Sequence, residues 1–140
     1  MKRVKKQTIS SVKKKTWDLF SKYIRLRDCL LTTGCSSFGL CITCGKRYHF
    51  KLLQAGHFIP GRHNKNLFSE KGTHAQCYNC NINLRGNTLE YRRRIIEMYG
   101  DGYDEVLERE NRETKNLTIK DLEEMQLSLK QKLEDLNERA

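Results

Sequence analysis

The chain has 140 residues and a formal net charge of +10, with 37% hydrophobic and 31% charged residues. That length fits one small domain, and so lean an apolar content gives a core that calls for a staple. No apolar run approaches the roughly 20 residues that span a bilayer. The basic start "MKRVKKQTISSVKKK" has no apolar stretch behind it, so neither a signal peptide nor a membrane span is expected. A reducing, cytoplasmic setting then favours metal over disulfides for the six cysteines. The charge is uneven: residues 1–28 carry +8, residues 29–100 carry +7 and residues 101–140 carry −5. The chain is read as a basic unit over 1–100, whose field favours polyanions with nucleic acid first, and an acidic helical tail over 101–140. The plainer alternative is a soluble basic surface with no polyanion partner.

In chain order, "SSVKKKTWDLFSKYIRLRDCL" reads as a helix opened by Ser10 or Ser11. Val12, Trp17, Phe20, Tyr23, Ile24 and Arg27 follow three-to-four-residue spacing, with lysines opposite. "LTTGCSSFG" is a loop. "LCITCGKRYHF" has the form of a zinc knuckle, in which the glycine lets backbone amides turn toward sulfur. "KLLQAGHFIPG" reads as a strand, "RHNKNLFSEKG" as a polar loop, and "THAQC" as a second strand. Helical spacing resumes after Cys80. "NTLEYRRRIIEMYG" offers Asn87 and Glu90 as a capping box, Leu89, Ile95, Ile96 and Tyr99 as an apolar side, and Gly100 as a stop. "GYDEVLERENRETKN" is a short acidic helix. "TIKDLEEMQLSLKQKLEDLNERA" is the strongest helix, with Thr118 and Asp121 as its box and an apolar stripe from Ile119 through Leu122, Met125, Leu129, Leu133 and Leu136. That stripe is too short for a coiled coil and is expected to pack on its own domain or on a second copy, as a homodimer.

Cys41, Cys44, Cys77 and Cys80 form two C-x2-C pairs separated by 32 residues. Such pairs close a tetrahedral zinc site from distant parts of a chain, and four thiolates leave no open position, so the expected zinc is structural. Cys29 and Cys35 have no neighbouring pair and are read as spare thiols.

Between the pairs lies "QAGHFIPGRHN", and Asn81 directly follows the last cysteine. Zinc pins both ends of this segment, bringing the two strands and the following helix together. This is similar to the ββα-metal core of HNH nucleases, in which a strand histidine deprotonates the attacking water and a residue at the helix start binds a divalent cation. Taken in order, "LFSKYIRLRD", "CITCGK", "AGHFIPGR", "HAQCYNCN" and "GNTLEYRRRIIEMYG" resemble the phage NinG, or Rap, recombination proteins over nearly the whole chain. "CYNCN" is also similar to the endonuclease VII type of phage resolvase.

The resemblance implies an α+β, mainly helical fold, with a zinc-stapled HNH-like core between flanking N- and C-terminal helices. It also implies a phage-encoded protein of the bacterial cytoplasm. The implied function is a structure-specific, metal-dependent DNA endonuclease hydrolysing branched recombination intermediates such as Holliday junctions and D-loops. His57 is then the general base, Asn81 the ligand of a catalytic Mg2+ or Mn2+, and His74 a supporting catalytic residue. Arg62, His63, Arg85, Arg92 and Arg93 are the expected DNA contacts. The chain departs from the pattern at Gln54, Gly56 and Gly72, where related sequences carry acidic or asparagine residues. The alternative is therefore a zinc-stabilised DNA-binding recombination accessory without catalysis.

Overall fold

The computed structural model describes residues 7–60, 64–113 and 115–140, with the side chains of residues 64 and 65 outside the description. The first helix, α1 (Ile9–Thr33), opens two or three residues earlier than the serines suggested. Thr8 is the cap: its hydroxyl accepts from the Ser11 amide at 3.2 Å, which leaves Ser10 and Ser11 inside the first turn. Gly34 closes the helix at φ +73°, a left-handed conformation that costs a glycine little.

Two antiparallel hairpins follow. Strands β1 (Phe38–Leu40) and β2 (Arg47–His49) flank the first cysteine pair. At three residues each they are too short for alternation to reveal them, and the sequence reading had only loop and knuckle there. Strands β3 (Leu53–His57) and β4 (Thr73–Cys77) pair with Gln54 opposite Gln76, Gly56 opposite His74 and His57 opposite Thr73. The connection expected to be all loop contains the short helix α2 (Asn64–Leu67). Cys77 ends β4, a single π turn (Asn79–Asn83) carries Cys80, and helices α3 (Thr88–Tyr99), α4 (Tyr103–Asn111) and α5 (Ile119–Arg139) complete the chain.

The β3–β4 hairpin has α1 on one face and α3 on the other. On the α1 face, Leu53 and Ala75 pack with Cys29, while Ala55 joins Phe20, Ile24 and Leu129. On the α3 face, the buried His74 ring lies against Tyr91 and Tyr99, and Tyr91 donates its hydroxyl to the Gly56 carbonyl at 2.7 Å. A buried ionic clamp locks α1 to β4. Asp28 accepts from the Ala75 amide at 2.7 Å and from Arg27 Nε at 2.9 Å, and Arg27 also donates to the Glu70 and Thr73 carbonyls at 2.8 Å. Every oxygen and guanidinium edge is thus bonded, the condition under which a buried charge is tolerated.

The acidic tail packs on its own chain. Leu122, Leu129 and Leu133 of α5 are buried, Leu122 beside Val12, and Gln126 donates to the Val12 carbonyl and the Thr16 hydroxyl of α1. The Thr118–Asp121 capping box forms as expected. The Asn87–Glu90 box does not. Asn87 has φ +47° and sends Nδ2 toward Cys80 Sγ at 3.7 Å, while Glu90 pairs with Arg93 and Arg94. A left-handed backbone at that position turns the Asn87 side chain away from the helix amides, so metal-site geometry wins over local capping. Among the described residues no helix is long and apolar enough to cross a membrane.

Candidate functional site

The four cysteine sulfurs all lie within 4.8 Å of one another. Zinc–sulfur bonds of about 2.3 Å place tetrahedral ligands roughly 3.8 Å apart, and Cys44 and Cys77 Sγ stand at 3.8 Å. Backbone amides point at the sulfurs: Cys77 N to Cys41 Sγ at 3.3 Å and Cys80 N to Cys77 Sγ at 3.4 Å. Gly45, at φ +74°, supplies the turn that closes the first pair. The donor set fits zinc. Burial opposes ionisation of the Cys41 thiol, yet the amides of Cys44 and Cys77 and the Thr43 hydroxyl bring it down to about 7. Cys44 is pushed up to about 12, first by burial and then by its sulfur neighbours. Four packed thiols cannot all ionise without a cation, and a divalent metal is what allows it.

Beside the cysteine cluster, with Asn81 next in sequence to Cys80, lies an open cleft of about 340 Å³. Trp17, Ser21 and Arg25 of α1 form one wall, Leu53, Gln54 and Ala55 of β3 the floor, and Asn81 of the π turn the other wall. Trp17, Ser21 and Arg25 stand at i, i+4 and i+8, so one helix face presents all three. Asn81 donates Nδ2 to Gln54 Oε1 at 2.8 Å. Arg25 is held over the Phe50 ring, 4.5 Å from its centroid, and desolvation by burial lowers its pKa. Asn81 was expected at the start of the following helix. It sits instead in the π turn, with α3 beginning only at Thr88.

His57 ends β3, half-buried, its ring stacked on Trp17 at 5.2 Å between centroids and 25° between planes. Its Nε2 meets the Leu67 carbonyl at 3.0 Å, so the donor nitrogen is Nε2 and Nδ1 is the basic one. Gly72 carries no side chain to orient the ring; this backbone carbonyl does it. Trp17 belongs to both settings, lining the cleft and stacking on His57.

His74 is elsewhere. It is 1% exposed, with Nδ1 on the Tyr91 hydroxyl at 3.2 Å and Nε2 on the Tyr99 hydroxyl at 2.8 Å. Gly56 pairs with His74 and His57 with Thr73, and neighbouring strand residues face opposite sides of a sheet, so His57 looks toward α1 and His74 toward α3. Burial pulls the His74 pKa down to about 4, which keeps the ring neutral. Arg92 is a strut between α3 and α4, bonded to Asp104 at 2.5 Å and Glu108 at 2.7 Å. Arg93 is exposed but paired with Glu90 at 2.7 Å. Arg85 is exposed on the turn before α3 at φ +51°. Arg62 and His63 lie outside the described residues.

Sequence reasoning missed Trp17, Ser21 and Arg25 as cleft residues. Their i, i+4, i+8 spacing was legible, but it merged into the core stripe that contains Trp17. It also missed the Arg27–Asp28 clamp, which only a buried neighbour on β4 could reveal.

No curated protein and no solved structure matches the chain. Comparison with known families matches residues 1–139 to the one described as bacteriophage lambda NinG protein. The cysteine cluster and cleft geometry above are therefore features of a chain that belongs to the bacteriophage lambda NinG family.

Proposed function

We propose that this chain is a DNA endonuclease acting on branched recombination intermediates, with His57 as general base. The observation that supports it most is the placement of Asn81, Gln54, Ser21 and Arg25 around one open cleft. One wall of that cleft, Trp17, also stacks on an imidazole whose Nε2 is tied to a backbone carbonyl. A clamped ring with a basic Nδ1 accepts a proton from water without reorienting. Arg25 and Ser21 offer a charge and a hydroxyl to a phosphate oxygen, and Asn81 an amide. The zinc at Cys41, Cys44, Cys77 and Cys80 supplies rigidity, not chemistry. The Mg2+ or Mn2+ that the family resemblance implies finds two amide side chains in this cleft and no carboxylate among the described residues. Hard cations prefer carboxylates, so the cleft fits a resident ion poorly, and no step is assigned to one here.

The test is cleavage of a labelled four-way junction with Mg2+ or Mn2+ supplied. His57→Ala and His57→Gln are each expected to slow cleavage about 10²–10⁴-fold while zinc content and DNA affinity hold. Cleavage by either variant at the parent's rate refutes the role of His57. The missing carboxylate favours a second reading, a non-catalytic DNA-binding accessory. That reading takes over if the parent binds junctions and cuts none with any divalent cation.

A further inference from the structure

The turn joining the zinc to α3 is an unusual surface. Ile82 and Leu84 are 49% and 51% exposed, with Tyr78 at 56% and Leu89 at 76% beside them in sequence. Apolar side chains on a mobile loop would fold inward, but this loop cannot. The Leu84 amide bonds the Asn79 carbonyl at 2.8 Å, the Gly86 amide bonds the Cys80 carbonyl at 2.9 Å, and the Gly86 carbonyl is held by Gln76 Nε2 at 2.8 Å. Cys77 and Cys80 anchor the start of the turn in the zinc cluster. Residues 85–87 then run through three consecutive positive φ values, of 51°, 93° and 47°. Such a backbone persists only where its surroundings fix it.

The charge around this turn names its partner. From residue 29 to residue 89 the only acidic residue is Glu70, and that carboxylate is held by Lys132. Arg85 is exposed on the turn itself, and Asn81 of the same turn lines the cleft. Residues 29–100 as a whole carry +7, and Glu90, the carboxylate next to Leu89, is held by Arg93 and Arg94; a rigid apolar projection in so basic a setting suits a polyanion that carries apolar faces of its own. Nucleic-acid bases are those faces. In a continuous duplex they are stacked, and opening a step costs a few kcal/mol. At a branch point the stack is already interrupted, so insertion is cheaper there.

We propose that Ile82 and Leu84 form a wedge that inserts against unstacked bases at the branch point of the DNA, and that this insertion distinguishes branched from linear DNA. The inference rests on the DNA-directed reading above and adds what that reading lacks, a structural source of branch preference.

The experiment measures binding of the full, zinc-loaded chain without added divalent cation, so that catalysis plays no part. The probes are a four-way junction carrying 2-aminopurine at the branch and a linear duplex of the same length. For the parent, 2-aminopurine fluorescence is expected to rise on binding, and the junction to bind more tightly than the duplex. The double variant Ile82→Ser/Leu84→Ser is expected to lose about tenfold or more in junction affinity, keep its duplex affinity and salt slope, and leave the fluorescence unchanged. Zinc content and helical circular dichroism report whether the variant is folded, and Ile82→Ala alone, the milder change, is expected to show a smaller loss in the same direction. Equal losses on both DNAs, or an unaltered fluorescence rise, overturn the wedge while leaving the DNA-directed reading standing. Failure of the parent to bind either DNA overturns both. A sedimentation shift from dimer to monomer in the double variant, with junction binding unaltered, overturns the wedge and makes the turn a contact between copies.

Discussion

Placing an acid at position 56, directly before the histidine proposed as the base, looks like an obvious gain for cation binding, and the packing forbids it. A Cβ built on Gly56 lies 2.0 Å from Gln76 Oε1, 2.9 Å from its Cδ and 3.0 Å from its Cβ. Gln76 is fully buried and cannot swing aside cheaply. Its Nε2 bonds the Thr43 hydroxyl at 3.2 Å and the Gly86 carbonyl at 2.8 Å, one partner beside the zinc cluster and the other on the turn leading to α3. Gly56→Ala therefore forces either overpacking, about 1–3 kcal/mol, or loss of buried hydrogen bonds at about 1–3 kcal/mol. Either way a cost of about 1–3 kcal/mol is expected, which for a domain of this size lowers Tm by about 3–10 °C. Gly56→Asp adds the burial of a charge and is expected to unfold the centre of the molecule rather than create a metal ligand. The assay is thermal or urea unfolding at fixed zinc concentration, run as a double-mutant cycle with Gln76→Ala. In the Gln76→Ala background, Gly56→Ala should cost under about 0.5 kcal/mol, a coupling of at least about 0.5 kcal/mol. A Gly56→Ala variant that melts with the parent, or a cycle with no coupling, refutes the steric argument.

Elemental analysis is expected to give one zinc per chain, and Cys44→Ser or a strong chelator should remove it and unfold the segment between the cysteine pairs, since such sites supply on the order of 10 kcal/mol; a folded, zinc-free chain would contradict this. Asp28→Asn keeps shape but leaves Arg27 buried without its counter-charge, so a loss of about 3–5 kcal/mol is expected by chemical unfolding, and a loss below about 1 kcal/mol would show that the clamp is replaceable. Because burial holds His74 near 4, below its unfolded value, the fold favours the neutral ring: stability is full above about pH 6.5 and declines as pH falls toward 4, by roughly 3 kcal/mol in all. His74→Gln should remove that part of the acid slope while the part due to the zinc thiolates stays, and identical slopes for parent and variant would refute the assignment.

The parts legible in the sequence were those written in local spacing. Cys41, Cys44, Cys77 and Cys80 met in space because two short pairs carry their own geometry, and Thr118 and Asp121 capped α5 because a cap needs only three residues of context. Asn87 had the same local signature and failed, since its backbone is set by Cys80 and Gly86 rather than by α3. Arg92 read as a DNA contact because Asp104 and Glu108, which bind it, lie on the next helix. The partners of His57 were hidden for the same reason. Trp17 stands forty residues earlier in the chain, and the Leu67 carbonyl belongs to backbone, which no side-chain pattern reports. Long-range and backbone-mediated partners are where pattern reading stops.

The seating of α5 on α1 has a consequence for the order in which the chain acquires its structure. The hydrogen bonds from Gln126 to Val12 and Thr16 join residues 114 and 110 positions apart. During synthesis, α1 emerges first with an apolar stripe and waits for nearly the whole chain before that stripe is fully covered. At about 5–20 residues per second, that wait lasts about 5 to 20 seconds. The β3–β4 hairpin covers part of the stripe earlier, Ala55 against Phe20 and Ile24, and it is held closed by the cysteine cluster once residue 80 has emerged. The metal therefore sets the first half of the folding sequence, and α5 completes it by closing a loop of more than a hundred residues, the slowest kind of contact to find. Zinc supply and delivery of the last helix are thus two separate checkpoints in maturation, and a chain halted between them exposes the Val12 and Phe20 face of α1 to aggregation.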